Sequence, residues 1–187
     1  MEKYKEIFDN VSINDNEFEG TEFSLCEFKN CDLSKAALNS YQFEDCTFKN
    51  CNLSLTVFAN TKLQDVLFEN CKLLGINFTK CDKFAFSINF NECIIKNCNF
   101  SDLKMKKASF KKCSIIESDF VNTDLPEADF SESTFKDTMF GNTNLQKANF
   151  FDAVGYNINP INNKVTKAVF SMPAAVSLIK HLGVIIK

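Results

Sequence analysis

Large apolar residues recur at every fifth position of the chain. Phe8, Ile13, Phe18, Phe23, Phe28, Leu33, Leu38, Phe43, Phe48, Leu53, Phe58, Leu63, Phe68, Leu73 and Phe78 keep the beat without a miss. After one break it resumes at Phe90, Ile95, Phe100, Met105, Phe110, Ile115, Phe120, Leu125, Phe130, Phe135, Phe140, Leu145 and Phe150. Neither the 3.6 period of a helix nor the 2.0 period of a strand gives this pattern. Two positions before each centre stands a small residue (Ala, Cys, Ser, Thr or Val) in 22 of the 28 units, and most other positions are polar. A five-residue unit with two inward positions cannot bury its own side chains. It needs a further layer stacked on it, as in a solenoid. The large residue is expected to fill the interior and the small one to let the chain turn a corner.

Four units per coil bring like residues into columns. Phe8, Phe28, Phe48, Phe68, Phe90, Phe110, Phe130 and Phe150 form an all-Phe column, provided that two extra residues sit within Lys83, Phe84, Ala85, Phe86 and Ser87. These insertion residues, Lys83 to Phe86, are expected to form a small bulge. Tyr41 stands where a small residue is wanted and marks either a second bulge or an accommodated oddity.

The nine cysteines all fall on the small position. Stacked coils would set them in vertical columns roughly 4.8 Å apart, where free Cys acts as a small buried hydrophobe. Their repeated CxxxxC spacing is therefore read as structural. No metal site, disulfide framework or cofactor is expected, because zinc needs ligands converging on one point and an odd number of cysteines leaves one unpaired.

No apolar run approaches the roughly 20 residues needed to cross a bilayer, and the charged start MEKYKEIFDN lacks a signal's apolar stretch. A cytoplasmic protein with no membrane contact is expected. The net charge is −3, distributed unevenly: 14 acids against 9 lysines over residues 1–83, 9 against 8 over 84–150, and 1 against 4 over 151–187. The densest acidic run, Glu117, Asp119, Asp124, Glu127, Asp129, Glu132 and Asp137, follows a basic one at Lys96, Lys104, Lys106, Lys107, Lys111 and Lys112. A second acidic candidate is Asp15, Glu17, Glu19 and Glu22. The carboxylates show no pairing suited to acid–base work, there is no phosphate loop or nucleophile elbow, and the one histidine, His181, suits a helix C-terminus. A non-enzyme is expected.

The segments Cys31-Asp-Leu-Ser-Lys35, Ala128-Asp-Phe-Ser-Glu132 and Ala148-Asn-Phe150 fit the pattern A(D/N)LXX, and over residues 8–150 the chain resembles the pentapeptide-repeat proteins. The resemblance implies an all-β fold, a right-handed quadrilateral β-helix of about seven coils. It divides the chain into a repeat solenoid at 1–155 and a C-terminal module at 156–187. The tail, Tyr156-Asn-Ile-Asn-Pro160 and then Val165 through Phe170 to Ile186, is similar to the end of the Qnr-type and microcin B17 immunity proteins. That implies a homodimer and a topoisomerase partner, DNA gyrase or topoisomerase IV, engaged by DNA mimicry rather than direct nucleic-acid binding. Protection from quinolones or peptide toxins would follow. The projecting loops of enterobacterial Qnr proteins have no counterpart beyond the two-residue insertion. A generic scaffold with an unrelated partner is the rival reading. In the tail, Ser171 is expected to cap a helix with Pro173 in its first turn, Val176, Ile179 and Leu182 to form its apolar stripe, Gly183 to stop it, and Val184 to Ile186 to form a strand. Phe170, Val176, Ile179, Leu182, Val184 and Ile186 are the expected dimer contacts.

Overall fold

The computed structural model describes residues 2–12 and 21–185. The chain winds as a quadrilateral β-helix of about eight turns. With strands numbered in chain order, one side of the rod stacks β1 (Glu2–Tyr4), β3 (Glu22–Ser24), β5 (Gln42–Glu44) and β7 (Lys62–Gln64). The next side stacks β2 (Ile7–Asp9), β4 (Glu27–Lys29), β6 (Thr47–Lys49), β8 (Val66–Glu69), β10 (Ile88–Asn91) and β12 (Phe110–Lys111). The third holds β9 (Lys72–Leu74), β11 (Ile94–Lys96), β13 (Ser114–Ile116) and β14 (Thr134–Lys136). The fourth side is built from isolated parallel bridges, such as Ala37 to Val57 and Asn99 to Asp119. The pair β15 (Asn149–Phe150) and β16 (Val169–Phe170) continues the second side.

Each coil lays its centres directly on those of the coil before. Phe28 pairs with Phe48 and Phe48 with Phe68 in parallel register, and their rings stack at 4.7 and 5.2 Å, about the strand spacing. Rings from the second and fourth sides meet edge to face across the interior, as Phe100 and Phe110 do at 5.6 Å and 88°. Two columns of stacked rings therefore interlock, the offset and edge-on geometries that aromatic quadrupoles favour.

The corner chemistry differs from the sequence-based expectation. The turn is made by the residue two after each centre, not by the small one. Residues such as Asn30, Asn50, Asn70, Asn97 and Lys112 stand in the left-handed region, with φ of 50 to 56°. Asn and Asp tolerate this conformation best among residues with a Cβ. Most corners also gain a backbone hydrogen bond to the next coil, as from Asn30 N–H to Lys49 C=O and from Asn50 N–H to Glu69 C=O, both 2.9 Å. The Asn side chains add a ladder outside, Asn70 donating to Asn50 and Asn50 to Asn30.

The small residue sits just inside the corner, and its side chain donates inward. Cys46 Sγ is 3.3 Å from both the Phe23 and Glu44 carbonyls. Thr143 Oγ1 donates to the Phe120 carbonyl at 2.6 Å and Asn163 Nδ2 to the Phe140 carbonyl at 3.2 Å, each again 23 residues back. The position thus calls for a short donor, which explains why Cys, Ser and Thr exchange there. Tyr41 is accommodated without a bulge: β5 holds its register with both neighbours, and the ring lies 7° from the planes of Phe23 and Phe43.

The two extra residues are absorbed on one corner. The offset between paired strands rises to 22 residues, Val66 facing Ile88 and Phe68 facing Phe90. Lys83 and Ala85 loop out, Phe84 is 78% exposed and Phe86 turns inward. Ladder pairing also runs past residue 155 to Phe170. Val165 and Phe170 resume the five-residue beat, which explains the turn beyond the seven expected, and the Phe170 ring stacks on Phe150 at 5.0 Å.

The tail departs from expectation in its details. Helix α1 is short, Val176–Lys180, with Ala175 at its N-cap and no side-chain cap. Ser171 Oγ instead accepts from Asp152 N–H at 2.8 Å, so it ties the tail to the last coil and is not free to cap. Val184 and Ile185 are not in a strand, and Ile186 lies outside the described residues.

Candidate interaction surfaces

The seven acids from Glu117 to Asp137 do not gather on one face. A run of that length in a coil of 20 residues must wind once around the rod. Asp119 lies on the fourth side, bridged to Asn99 and Met139; Asp124 on the first, bridged to Lys104 and Asn144; and Asp129 on the second, bridged to Ser109 and Asn149. Glu117, Glu127, Glu132 and Asp137 occupy left-handed corners between them. The result is a belt.

Much of this belt is already engaged. The basic run lies one coil earlier, so the two stack: Glu117 meets Lys96 at 3.5 Å, Glu127 meets Lys106 at 3.9 Å and Asp129 meets Lys111 at 3.2 Å. Asp129 also accepts from Ser131 N–H and Asn149 Nδ2. Despite the cost of partial burial, the Ser131 bonds and the Lys111 ammonium hold its carboxyl below the usual range. Asp124 accepts from Asn144 at 2.6 Å. The Asp119 carboxylate has no partner among the described residues and stands on a side otherwise built of Ala37, Val57, Asn77, Asn99 and Met139. Of the N-terminal acids, Glu22 accepts from Gln42 at 2.7 Å, while Asp15, Glu17 and Glu19 lie outside the described residues.

The expected dimer contacts divide into two sets. Phe170 belongs to the aromatic column, and Val176 is only partly exposed. Leu178 and Ala174, absent from the expected stripe, are the residues packed on the core. Ile179, Leu182 and Val184 are exposed, as are Met172 and Ile185 in the same tail. His181 Nε2 is 2.8 Å from Asn157 Oδ1, which fixes the end of α1 to the last turn.

The cysteines are all free and buried, and no group of three or more metal-ligating side chains converges among the described residues. Burial pushes the thiols of Cys46 and Cys81 up to about 12 and that of Cys98 to about 11, from an ordinary value of 9.0. Below pH about 9 both folded and unfolded chains keep these protons, so the thiols leave stability unchanged. Between about 9 and 12 only the unfolded chain loses them, so stability falls as pH rises. Denaturant midpoints should therefore drop from near pH 8 to near pH 10. The drop should shrink when Cys46 and Cys98 are replaced by serine; an equal drop in that variant would assign it to other groups. Because Ser133 already fills the same position, donating inward to the Phe110 carbonyl, each single Cys→Ser change should cost about 1 kcal/mol or less.

The fold has known counterparts. Two trypsin-treated variants of QnrB1, a plasmid-mediated fluoroquinolone resistance protein, superpose with TM-scores of 0.66 and 0.74 at 18% and 17% identity. The first match covers 100% of both chains, the second 100% of this chain and 92% of the other. Among curated proteins none matches the sequence. The family profile of the pentapeptide repeat region matches residues 21–83 and 83–150, the same stretches over which the five-residue beat and the stacked coils run. The chain belongs to the pentapeptide-repeat family.

Proposed function

We propose that this chain is a non-catalytic, Qnr-like protein that binds a type II topoisomerase, DNA gyrase or topoisomerase IV, in the cytoplasm and protects it from quinolones or peptide toxins. The observation that carries the reading is the likeness to the fluoroquinolone resistance protein QnrB1 over the whole chain, tail included. The exposed apolar side chains of Met172, Ile179, Leu182, Val184 and Ile185 in the tail support a homodimer joined tail to tail, since apolar surface left in water marks contact sites where it is contiguous. The belt of acids gives a DNA mimic less to work with than a continuous acidic face would. Contact with the enzyme is therefore assigned to unpaired acids of the belt that lie close together, Asp119 on the fourth side and Asp137 at the corner leading into it. The ion pairs of Glu117, Glu127 and Asp129 favour the second reading, a scaffold whose partner is not a topoisomerase.

The test is gyrase supercoiling with ciprofloxacin, titrating the protein from nanomolar to micromolar. Rescue at low dose with inhibition at high dose is expected. Neither effect from a folded protein would leave the scaffold reading standing. In the same assay Asp119→Lys should weaken rescue severalfold without lowering the unfolding midpoint, because no bond is lost. Undiminished rescue would remove the belt from the interface.

A further inference from the structure

Lysines gather around the corner opened by the two-residue insertion. On one side of the inward Phe86 lies a cleft of about 460 Å³, lined by Lys104, Lys106 and Lys107 together with Asp65 and Ser87. On its other side lies a smaller one of about 210 Å³, between Lys83, Lys104 and Asp102. Lys104 and Phe86 border both, so the two form one groove divided by an aromatic wall.

Four lysines border the groove, and three of them, Lys83, Lys104 and Lys107, have no ion pair among the described residues. Lys106 has only a long one, 3.9 Å to Glu127. Two carboxylates also border the groove, Asp65 accepting from Ser87 Oγ at 2.8 Å and Asp102 from Asn122 at 3.2 Å, so the four lysines outnumber them two to one. Between Lys83 and Phe86, which border the groove, Phe84 is 78% exposed, the most exposed aromatic residue among those described. An excess of cations next to an unburied ring offers two contacts at once, one electrostatic and one apolar.

We propose that this groove is a docking site for a short acidic peptide segment carrying an apolar or aromatic side chain. The carboxylates would sit against Lys83, Lys104 and Lys107, and the apolar group against Phe84. The length of the ligand follows from what borders the groove. Asp124 is bridged to Lys104, one strand spacing away, and the belt continues from it around the rod. A nucleic-acid backbone tracking along the surface would run onto those carboxylates, whereas a segment a few residues long ends before them. This inference is independent of the topoisomerase reading and survives or fails without it.

The test is fluorescence anisotropy with the intact protein and three labelled probes. These are a short glutamate peptide around a central phenylalanine, the same peptide with glutamine for glutamate, and a single-stranded oligonucleotide of equal charge. The acidic peptide should bind tightest, and salt should weaken it as the screening length shrinks from about 10 Å at 0.1 M. The combined Lys83→Glu, Lys104→Glu and Lys107→Glu variant should lose about tenfold in affinity or more. Phe84→Ser removes a side chain already in solvent and cannot unfold the rod. It should lose severalfold and keeps the test decisive if the triple variant folds poorly. Equal binding of the neutral peptide, tighter binding of the oligonucleotide, or no change in Phe84→Ser would each overturn the proposal.

Discussion

Replacing Gly155 by alanine is expected to detach the end of the rod. Gly155 follows Phe135 by one coil and should carry a large centre, but its φ is +79° and a Cβ there would stand 2.1 Å from the Phe135 carbonyl oxygen. That oxygen belongs to β14 and cannot swing aside. The chain dives inward at this point because Tyr156 supplies the missing ring, packing 5.5 Å from both Phe150 and Phe170. The left-handed φ alone costs alanine about 1–2 kcal/mol, and forcing the β14 backbone to shift adds about 1–3 more. Gly183→Ala is the control: its φ is +71°, yet nothing lies within 4 Å of the added carbon, so only the conformational cost applies. Denaturant unfolding and limited proteolysis should show a large loss and early cleavage after residue 150 for Gly155→Ala, and a small loss for Gly183→Ala. Similar losses in both would mean that the close approach to Phe135 is not what fixes the glycine.

The second large effect is expected in the aromatic column. The Phe110 ring is fully buried and touches four others, stacked at 4.9 Å on Phe90 and on Phe130 and edge-on to Phe100 and Phe120. Phe110→Ala should cost about 3–5 kcal/mol, since neighbours anchored in parallel strands cannot collapse into the cavity. Phe110→Leu keeps most of the volume and should cost about 1 kcal/mol; leucine already serves as a buried centre on another side, as at Leu53. A loss under about 1 kcal/mol for the alanine variant would mean that the coils close up, and that the columns are less rigid than their register implies.

The solenoid was legible because its period matches no helix or strand and repeats without a miss for fifteen units. The insertion was legible for the same reason, since only a two-residue shift realigns Phe68 with Phe90. The corner was not. Residues such as Asn50, Lys35 and Leu55 share a left-handed φ but no side-chain type, because the hydrogen bond from the corner N–H to the next coil is a backbone property. The acidic candidates illustrate a different gap. Glu117 to Asp137 look like a patch when written in a line, and counting 20 residues per turn already wraps them around the rod. The pairing of that belt with the lysines one coil before follows from the same count. The tail was hardest to read, because Ser171 has the chemistry of a helix cap and only the nearness of Asp152 diverts it.

The direction of the hydrogen bonds has a mechanical consequence. Backbone donors such as Asn30, Asn50 and Leu53 all reach to the following coil, at 2.9, 2.9 and 2.8 Å, so the bonds lie along the rod and not across it. A pull on the two termini loads the outermost coil's bonds one after another, as in opening a zip, and each coil that leaves exposes the next to the same force. Squeezing the rod from the side instead meets interlocked rings with nowhere to go. Such a body should resist a clamp and yield to peeling, so a cellular unfoldase that grips either end would take it apart one turn at a time.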